Sequence, residues 1–401
     1  MVRTPVAHVE PAVLRWARES IGLIPVAASR KMNLPDDRVA RWEAGEELPT
    51  IAQLRTAAKV YKRPLSVFFL PRPPAGFDVM RDFRRLPEAT EGAWSPALHG
   101  EYRRALQQRE FALEIAELAD EPPARTWRLP EPLPEGDEVI ARMMRSALQE
   151  IAPVPFPNRR SSSPYEHLGY WIAALEEAGV LVFASQGVEK EEMRGFSLYF
   201  DQLPVLVVNG KDFPRGRLFS LLHEYAHLVL HTAGLCDTIT DQRALTPDRQ
   251  LEARCNAIAA AALMPRDQVL ALPEVVARPG RSQQWDNETL QQAASAFGAS
   301  SEAFLRRLLT LGRTTEQFYR QKRQELLELY EEELARRREE SGGGGNYYRT
   351  RVRDLGKGYV RLVTSAQRRR LIDTYTAASF LDAKVQQLDR LAEFATLRDV
   401  A

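Results

Sequence analysis

Two histidines and a glutamate lie inside an apolar stretch of the chain, Leu218–Leu230. They are His223, Glu224 and His227, in the pattern His-Glu-x-x-His. The apolar residues around them predict a buried helix over about residues 215–231, in which three unpartnered polar side chains would cost several kcal/mol. Histidines four residues apart lie on one helix face, so both imidazoles can bind a single tetrahedral metal ion. The stretch therefore predicts a metal site inside a core helix.

Glu224 is the predicted general base of this site. Because it follows His223 directly, its side chain projects about 100° further around the helix. That rotation puts the carboxylate beside a metal-bound water rather than on the metal. Zinc lowers the pKa of such a water to about 7, so a neighbouring carboxylate can accept its proton at neutral pH. The motif thus predicts a zinc-dependent hydrolase with His223 and His227 as ligands. Tyr199 and Arg217 are candidates for stabilising an oxyanion.

His231, one helical turn beyond His227, is not expected to be a third ligand. It lies about 12 Å from His223 along the helix axis. One zinc ion with bonds near 2 Å cannot bind both of these residues and His227 on a straight helix. We therefore expect His231 to have a structural role or to support the ligands.

Glu252 is the predicted third ligand, since its distance in sequence from His227 suits a helix–loop–helix return. Two histidines and one glutamate leave a position on zinc for water. The intervening loop contains three competitors, Asp237, Asp241 and Cys236. Cys255, three residues after Glu252, could also lie near the metal, although a small buried thiol is the simpler interpretation of both cysteines.

The segments around the motif resemble the ImmA/IrrE family of prokaryotic zinc metallopeptidases. In that family a buried strand ending in Asn precedes an Arg-x-Phe-x-x-x-His-Glu helix, as Val205–Asn209 and Arg217–His231 do here. A second family signature, a Glu before an Ala/Asn-rich helix ending in Leu-Met-Pro, is similar to Glu252–Pro265. The resemblance covers about residues 161–311. It implies a zincin-like peptidase domain with Glu252 as the metal-binding carboxylate.

The chain departs from the family pattern at positions that are not ligands. Tyr225-Ala226 stands where the family usually has Leu-Gly, Cys255 where Ala is common, and Ile258 where Phe is common. These departures bear on the shape of the pocket and therefore on substrate choice.

The N-terminal residues form a pattern of five short helices, the size of a helix-turn-helix domain. Residues 14–70 are similar to the XRE (lambda-repressor-like) family, notably at Val39–Gly45 and Leu48–Thr50. Joining such a domain to an ImmA/IrrE peptidase is a known arrangement. The resemblance implies a five-helix bundle ahead of the peptidase.

Whether this N-terminal domain binds DNA is left open by its charges. Residues 1–75 contain twelve Lys/Arg and seven Asp/Glu, an excess that favours phosphate contact. Arg38 and Arg41 would make the first DNA contacts. However, Asp36 and Asp37 begin the expected recognition helix and would repel phosphates. The alternative is a domain used for protein docking or dimerisation.

The remaining patterns complete a mostly helical α+β chain with a small β-sheet and a helical C-terminal extension. Strands are predicted at residues 180–183, 195–200 and 204–208, and helices at residues 290–311 and 316–340. The predicted domains are residues 1–72 (XRE-like), 73–135 (linker and connector helix), 136–311 (zinc metallopeptidase), 312–341 (charged helix), 342–345 (glycine linker) and 346–401 (basic helical region).

Composition predicts a cytoplasmic protein. The formal net charge is +1 and there are two cysteines, too few for a disulfide framework. Neither a signal peptide nor a membrane-spanning stretch is recognisable. We expect Zn²⁺ as cofactor and a protein substrate, by resemblance a helix-turn-helix repressor cleaved in a stress, mobile-element or phage-defence response. The alternative is an XRE-type DNA-binding regulator that uses the peptidase fold as a sensor; a homodimer is compatible with either.

Overall fold

The chain folds into two compact units, Met1–Leu106 and Gln107–Ala401. The computed structural model describes residues 6–61, 63, 65–73, 95–157, 163–231, 234–236, 247–340 and 346–396. The expectation of a mostly helical α+β chain with a small sheet is confirmed. The glycine linker at residues 342–345 lies outside the described residues.

The first unit consists of short helices around an aromatic core. Its described helices are α1 (Pro11–Glu19), α2 (Pro25–Lys31), α3 (Arg38–Ala44), α4 (Ile51–Val60) and a 3-10 turn (Leu65–Phe69). Thr50 starts α4 with a capping box, in which its hydroxyl accepts from Gln53 N and its own N–H donates to the Gln53 side chain. Trp42 and Phe68 are fully buried in the centre. The helix positions agree with the sequence pattern, while the helix-turn-helix assignment stays a prediction.

A buried ion pair links α1 to α3 within this unit. The Arg18 guanidinium donates to both carboxylate oxygens of Glu43 at 2.7 and 2.8 Å, and also to Leu23 O. Because both partners are shielded from water, losing one would leave an uncompensated buried charge. The pair therefore holds α3 against α1.

Helices dominate the second unit as well. Helix α5 (Pro96–Ala119) spans the boundary between the units. The other described helices are α6 (Asp137–Ile151), α7 (Pro164–Glu177), α8 (Pro214–Val229), α9 (Pro247–Leu263), α10 (Arg266–Leu270), α11 (Pro273–Val276), α12 (Asn287–Ser295), α13 (Ser301–Thr310), α14 (Glu316–Glu340), α15 (Tyr347–Leu355), α16 (Lys357–Arg368), α17 (Thr374–Phe380), a 3-10 turn (Val385–Gln387) and α18 (Leu388–Thr396).

A four-stranded sheet supports the site. Its strands are β1 (Leu181–Ser185), β2 (Gly195–Leu198), β3 (Val205–Asn209) and the short β4 (Gly234–Cys236), in the order β1-β3-β2-β4. Strand β1 is parallel to β3, whereas β2 is antiparallel to both β3 and β4. One face of the sheet, which includes Leu206 and Val208, packs into the main core with α7 and α8.

Two features of this unit differ from the sequence-based expectation. Helix α6 falls directly after the proline-rich segment, where no helix was predicted, although its apolar residues recur at helical spacing (Ile140, Met144, Leu148). The single helix expected at residues 290–311 is wrong. It is divided into α12 and α13 because Gly298 has φ +70° and Ser300 caps a new helix through Ala303 N. The local turn chemistry therefore outweighs the continuous amphipathic pattern.

The C-terminal helices pack on the outer strand of the sheet. Helices α15 and α16 contact β1, and a Cβ on Gly356 between them would lie only 2.3 Å from Val182 O. The Glu176 carboxylate accepts from Gly358 N at 2.7 Å and from Arg361 at 3.1 Å. These contacts cover the edge of β1, which would otherwise present unpaired backbone groups to a neighbouring chain.

No helix among the described residues is both long and apolar enough to cross a membrane.

Candidate metal centre

Helix α8 brings the His-Glu-x-x-His motif into the core of the second unit. It begins with Pro214, whose missing N–H is not needed at that position. Asn209, at the end of β3, holds the turn that leads into α8. Its side-chain amide donates to Val188 O and Met193 O, while its Oδ1 accepts from Lys211 N. The apolar residues of α8 then bury the motif among α7, α9 and the sheet.

Three potential ligand atoms converge at this point. The Nε2 atoms of His223 and His227 are 3.1 Å apart. The carboxylate of Glu252, on α9, has its Oε2 atom 3.2 Å from His223 Nε2 and its Oε1 atom 3.1 Å from His227 Nε2. Among the described residues, these are the three whose ligand atoms form a compact His/Cys/Asp/Glu group able to hold a metal. The structure therefore brings together the three residues predicted as ligands.

The spacing of these atoms fits a tetrahedral metal ion. Ligand bonds near 2.0 Å set neighbouring corners of a tetrahedron about 3.3 Å apart. The separation of the two nitrogens, and that of each nitrogen from a Glu252 oxygen, are close to this value. Two imidazole nitrogens and a carboxylate oxygen are also donors that zinc binds in catalytic sites, with a fourth position left for water. The two histidines are almost fully buried, while the side chain of Glu252 is 27% exposed. Solvent can therefore reach the site on the Glu252 side.

The electrostatics of the cluster favour positive charge at its centre. Burial lowers the pKa of His227, but hydrogen bonds with Cys255 and Glu252 and the nearby charge of Glu224 outweigh it and raise this pKa to about 11. Burial conversely raises the pKa of Glu252, yet its contacts with both imidazoles outweigh burial and hold that pKa well below its usual range. A divalent cation can take the place of the proton, since metal ligands must be deprotonated. The residues present thus fit a metal ion.

Glu224 is fully buried beside these ligands. It faces β2, where a Cβ added at Gly195 would lie 3.0 Å from Glu224 Oε1 and 3.1 Å from its Cγ. Glu224 is not one of the three residues of the converging group, in keeping with a carboxylate that acts on water instead of binding the ion. Gly195 was not singled out from the sequence, because only strand pairing brings it against the motif.

Two buried arginines hold the C-terminal end of α9, the helix that carries Glu252. Arg145, from α6, donates to Ala262 O at 2.8 Å, and Arg307, from α13, donates to Met264 O at 3.0 Å. The last carbonyls of a helix have no partner within it, and cations near them are favourable. Helix α6, which the sequence pattern does not predict, therefore helps to orient the helix that carries Glu252.

The departures from the family pattern lie in the core. The Tyr225 hydroxyl donates to Trp127 O at 2.7 Å, and burial raises the pKa of this phenol. Ile258 is likewise fully buried. Cys255 is buried as well and hydrogen-bonds with His227, with its pKa raised by burial. Tyr225 and Ile258 thus pack in the core, while Cys255 adjoins His227, a predicted ligand.

The other candidates from the sequence have separate positions. His231 Nε2 lies 3.0 Å from Glu131 Oε1, and its ring packs 5.1 Å from that of Tyr199. Tyr199 also accepts a hydrogen bond from Arg128 at 2.8 Å. Arg217 is two helical turns before Glu224, about 10 Å along the axis. Asp237 and Asp241 lie outside the described residues, and so does the side chain of Cys236.

In the first unit, the two arginines considered for DNA contact are held by acidic neighbours. Arg38 donates to Glu47 at 2.6 Å, and Arg41 donates to Glu47 at 2.8 Å and to Asp37. Another arginine of this region, Arg30, is paired with Asp36. Phosphate contact by these side chains would have to compete with the existing ion pairs.

Comparison with known families agrees with this site. Residues 175–309 match the peptidase M78 family model, described as the IrrE N-terminal-like domain. The matched segment contains α8 and α9, and with them His223, Glu224 and His227 of the motif and also Glu252. The match supports the ImmA/IrrE resemblance, a peptidase activity in general and a bound metal. No curated protein matches the chain.

Proposed function

We propose that this protein is a zinc-dependent endopeptidase that cleaves a protein substrate in the cytoplasm. The observation that carries the proposal is the convergence of His223 Nε2, His227 Nε2 and the Glu252 carboxylate. The two nitrogens are 3.1 Å apart, and each lies 3.1 to 3.2 Å from one of the two carboxylate oxygens. The buried carboxylate of Glu224 beside it supplies the base that peptide hydrolysis needs. A purely structural zinc site would have four protein ligands and no such base.

His223, His227 and Glu252 would hold the ion in this mechanism. When bound, zinc supplies Lewis-acid polarisation of the peptide carbonyl and lowers the pKa of water to about 7. Glu224 accepts a proton from the attacking water. It then returns that proton to the nitrogen of the leaving amine, so one carboxylate serves as base and then as acid. The apolar surroundings of α8 shield the buried Glu224 from bulk water.

The substrate class that we propose is a helix-turn-helix transcriptional repressor. Its support is the family match at residues 175–309 together with the family resemblance of both parts of the chain. Cleavage of a repressor would release gene expression in a stress, mobile-element or phage-defence response.

The decisive test combines metal analysis with the Glu224→Gln variant. Purified protein should contain about one zinc per chain by inductively coupled plasma mass spectrometry and should cleave labelled casein. Glu224→Gln should retain zinc and lose cleavage by at least about a hundredfold, as expected for removal of an acid–base group. Glu177→Gln, at an exposed glutamate of α7, is the matched control. Equal cleavage by Glu224→Gln and the original protein would refute the mechanism.

The substrate class is tested in cells that express either the active protein or Glu224→Gln. Mass spectrometry of new protein N-termini should find cleavage products of DNA-binding repressors with the active protein alone. Products drawn from other classes of protein would overturn the repressor assignment while leaving the peptidase assignment intact.

A further inference from the structure

Strand β2 presents alternate residues to α8, the helix that contains His223, Glu224 and His227. Gly195 is paired directly with Val208, and Ser197 with Leu206, across the antiparallel ladder. Residues directly opposite each other project to the same face of a sheet. Because Leu206 and Val208 belong to the core formed with α7 and α8, Gly195 and Ser197 also face α8. The close approach of Gly195 to Glu224 agrees with this orientation.

The position of Ser197 along α8 follows from two fixed points. Gly195 lies against Glu224, and the Tyr199 ring packs 5.1 Å from the His231 ring. Four strand residues advance by about 13 Å and seven helical residues by about 10 Å. The two segments therefore run alongside each other in the same direction. Ser197, midway between the fixed points of the strand, comes level with the helical turn that carries His227.

The Ser197 hydroxyl is buried without a hydrogen bond. The residue is 0% exposed, and among the described residues its Oγ has no hydrogen-bond partner. Leaving a buried hydroxyl unsatisfied costs about 1–3 kcal/mol. An unpartnered polar atom on the face of β2 that packs on α8, two residues after the glycine that contacts Glu224, points to a ligand that is itself polar and small.

We propose that Ser197 is a further catalytic residue, whose Oγ accepts a hydrogen bond from the attacking water while Glu224 accepts the other proton of that water. This inference rests on the proposed peptidase function. A water molecule can donate two hydrogen bonds. Glu224 accepts the one that carries the proton it removes, which leaves the second for another acceptor. The second acceptor, Ser197, orients the water so that its oxygen lone pair faces the peptide carbonyl.

The test is Ser197→Ala, with Ser185→Ala as matched control. Ser185 is also 0% exposed and also lacks a hydrogen-bond partner among the described residues. Ser185 follows Ala184 on β1, and the Ala184 side chain packs in the core with α7 and α8. Since successive strand residues project to opposite faces, the Ser185 side chain lies on the other face of the sheet. Each variant therefore removes one buried, unpartnered hydroxyl, but only the hydroxyl of Ser197 faces α8.

Steady-state cleavage of labelled casein, zinc content and thermal unfolding are measured for both variants. We expect Ser197→Ala to lower kcat about tenfold, the loss of one hydrogen bond in the transition state, with KM and zinc content unchanged. Its melting temperature should not fall, because the hydroxyl removed has no partner in the folded protein. Ser185→Ala should leave kcat unchanged.

Three results would overturn the inference: an unchanged kcat in Ser197→Ala, an equal loss in both variants, or a lower melting temperature in Ser197→Ala that accounts for the loss. If the unsubstituted zinc-loaded protein cleaves nothing, the proposed function itself fails. The two failures are therefore distinguishable.

Discussion

Gly195 lies directly against Glu224, and there is no room between them for a side chain. A Cβ at residue 195 would be 3.0 Å from Glu224 Oε1 and equally close to Val207 O. Since Val207 belongs to the neighbouring strand and cannot withdraw, the carboxylate would have to move. The absence of a side chain on β2 thus sets the position of the proposed base.

We predict that Gly195→Ala impairs cleavage while zinc stays bound. A displacement of the base by about 1 Å can lower the rate about a hundredfold, whereas the three proposed ligands lie outside the contact. Casein cleavage, zinc content and thermal unfolding separate these effects. Loss of zinc in this variant, or full activity, would contradict the assigned contact.

The stability of the second unit should decrease in mild acid because of His167. This side chain is 1% exposed, and burial lowers its pKa from 6.5 to about 4. The unfolded chain therefore binds the proton more readily between these two values. The stabilising contribution of neutral His167 is complete above about pH 6.5 and is lost as the pH falls towards 4. By pH 5 the loss should be on the order of 2 kcal/mol.

Denaturant unfolding at pH 7.5 and pH 5 measures this effect, with His167→Leu as the comparison. The variant keeps every other titrating group, so the difference between the two proteins isolates His167. We expect the variant to lose less stability on acidification than the unsubstituted protein. An identical pH dependence would show that His167 is not held neutral.

DNA binding by the first unit should be weak and limited by Glu47. The Glu47 carboxylate accepts hydrogen bonds from both Arg38 and Arg41. Glu47→Gln would release both guanidinium groups and should strengthen binding to a DNA duplex about tenfold or more at low salt, with a steeper salt dependence. Glu46→Gln, which removes the same charge from an exposed neighbouring residue, should have a smaller effect.

Fluorescence anisotropy at several salt concentrations distinguishes these variants. Tight, sequence-dependent binding by the unsubstituted protein would instead support the alternative function as an XRE-type regulator. Equal effects of the two substitutions would mean that net charge alone, rather than the ion pairs of Glu47, limits binding.

The junction between α15 and α16 should be sensitive to a single methyl group. Gly356 has φ +81°, and its missing Cβ would meet Val182 O at 2.3 Å. Gly356→Ala should therefore destabilise the second unit by more than the roughly 1–3 kcal/mol of backbone strain alone. Gly312→Ala is the control, since Gly312 has a similar φ of +70° and open space around it. Unfolding in urea should separate the two, and equal losses would contradict the contact with β1.

Local patterns were sufficient for the parts of the site that lie on single helices. The spacing of His223 and His227 predicts a shared ligand face because helical geometry repeats every 3.6 residues. Glu252 could be chosen because a short return brings the next helix back beside the first. The short helices of the first unit likewise followed from capping and proline positions, as Thr50 illustrates.

The chemistry of the candidate metal site and most of the helices therefore follow from the local sequence, since these depend on residues a few positions apart. The strand that faces Glu224, and with it the positions of Gly195 and Ser197 opposite α8, follow from strand pairing and packing. Tertiary structure also decided that Arg145 of α6 would hold the end of α9, and that the basic C-terminal helices would cover β1. Such contacts join residues tens to hundreds of positions apart, and their energy comes from burial and strand register. Neither burial against a distant segment nor strand register produces a periodic pattern in the local sequence.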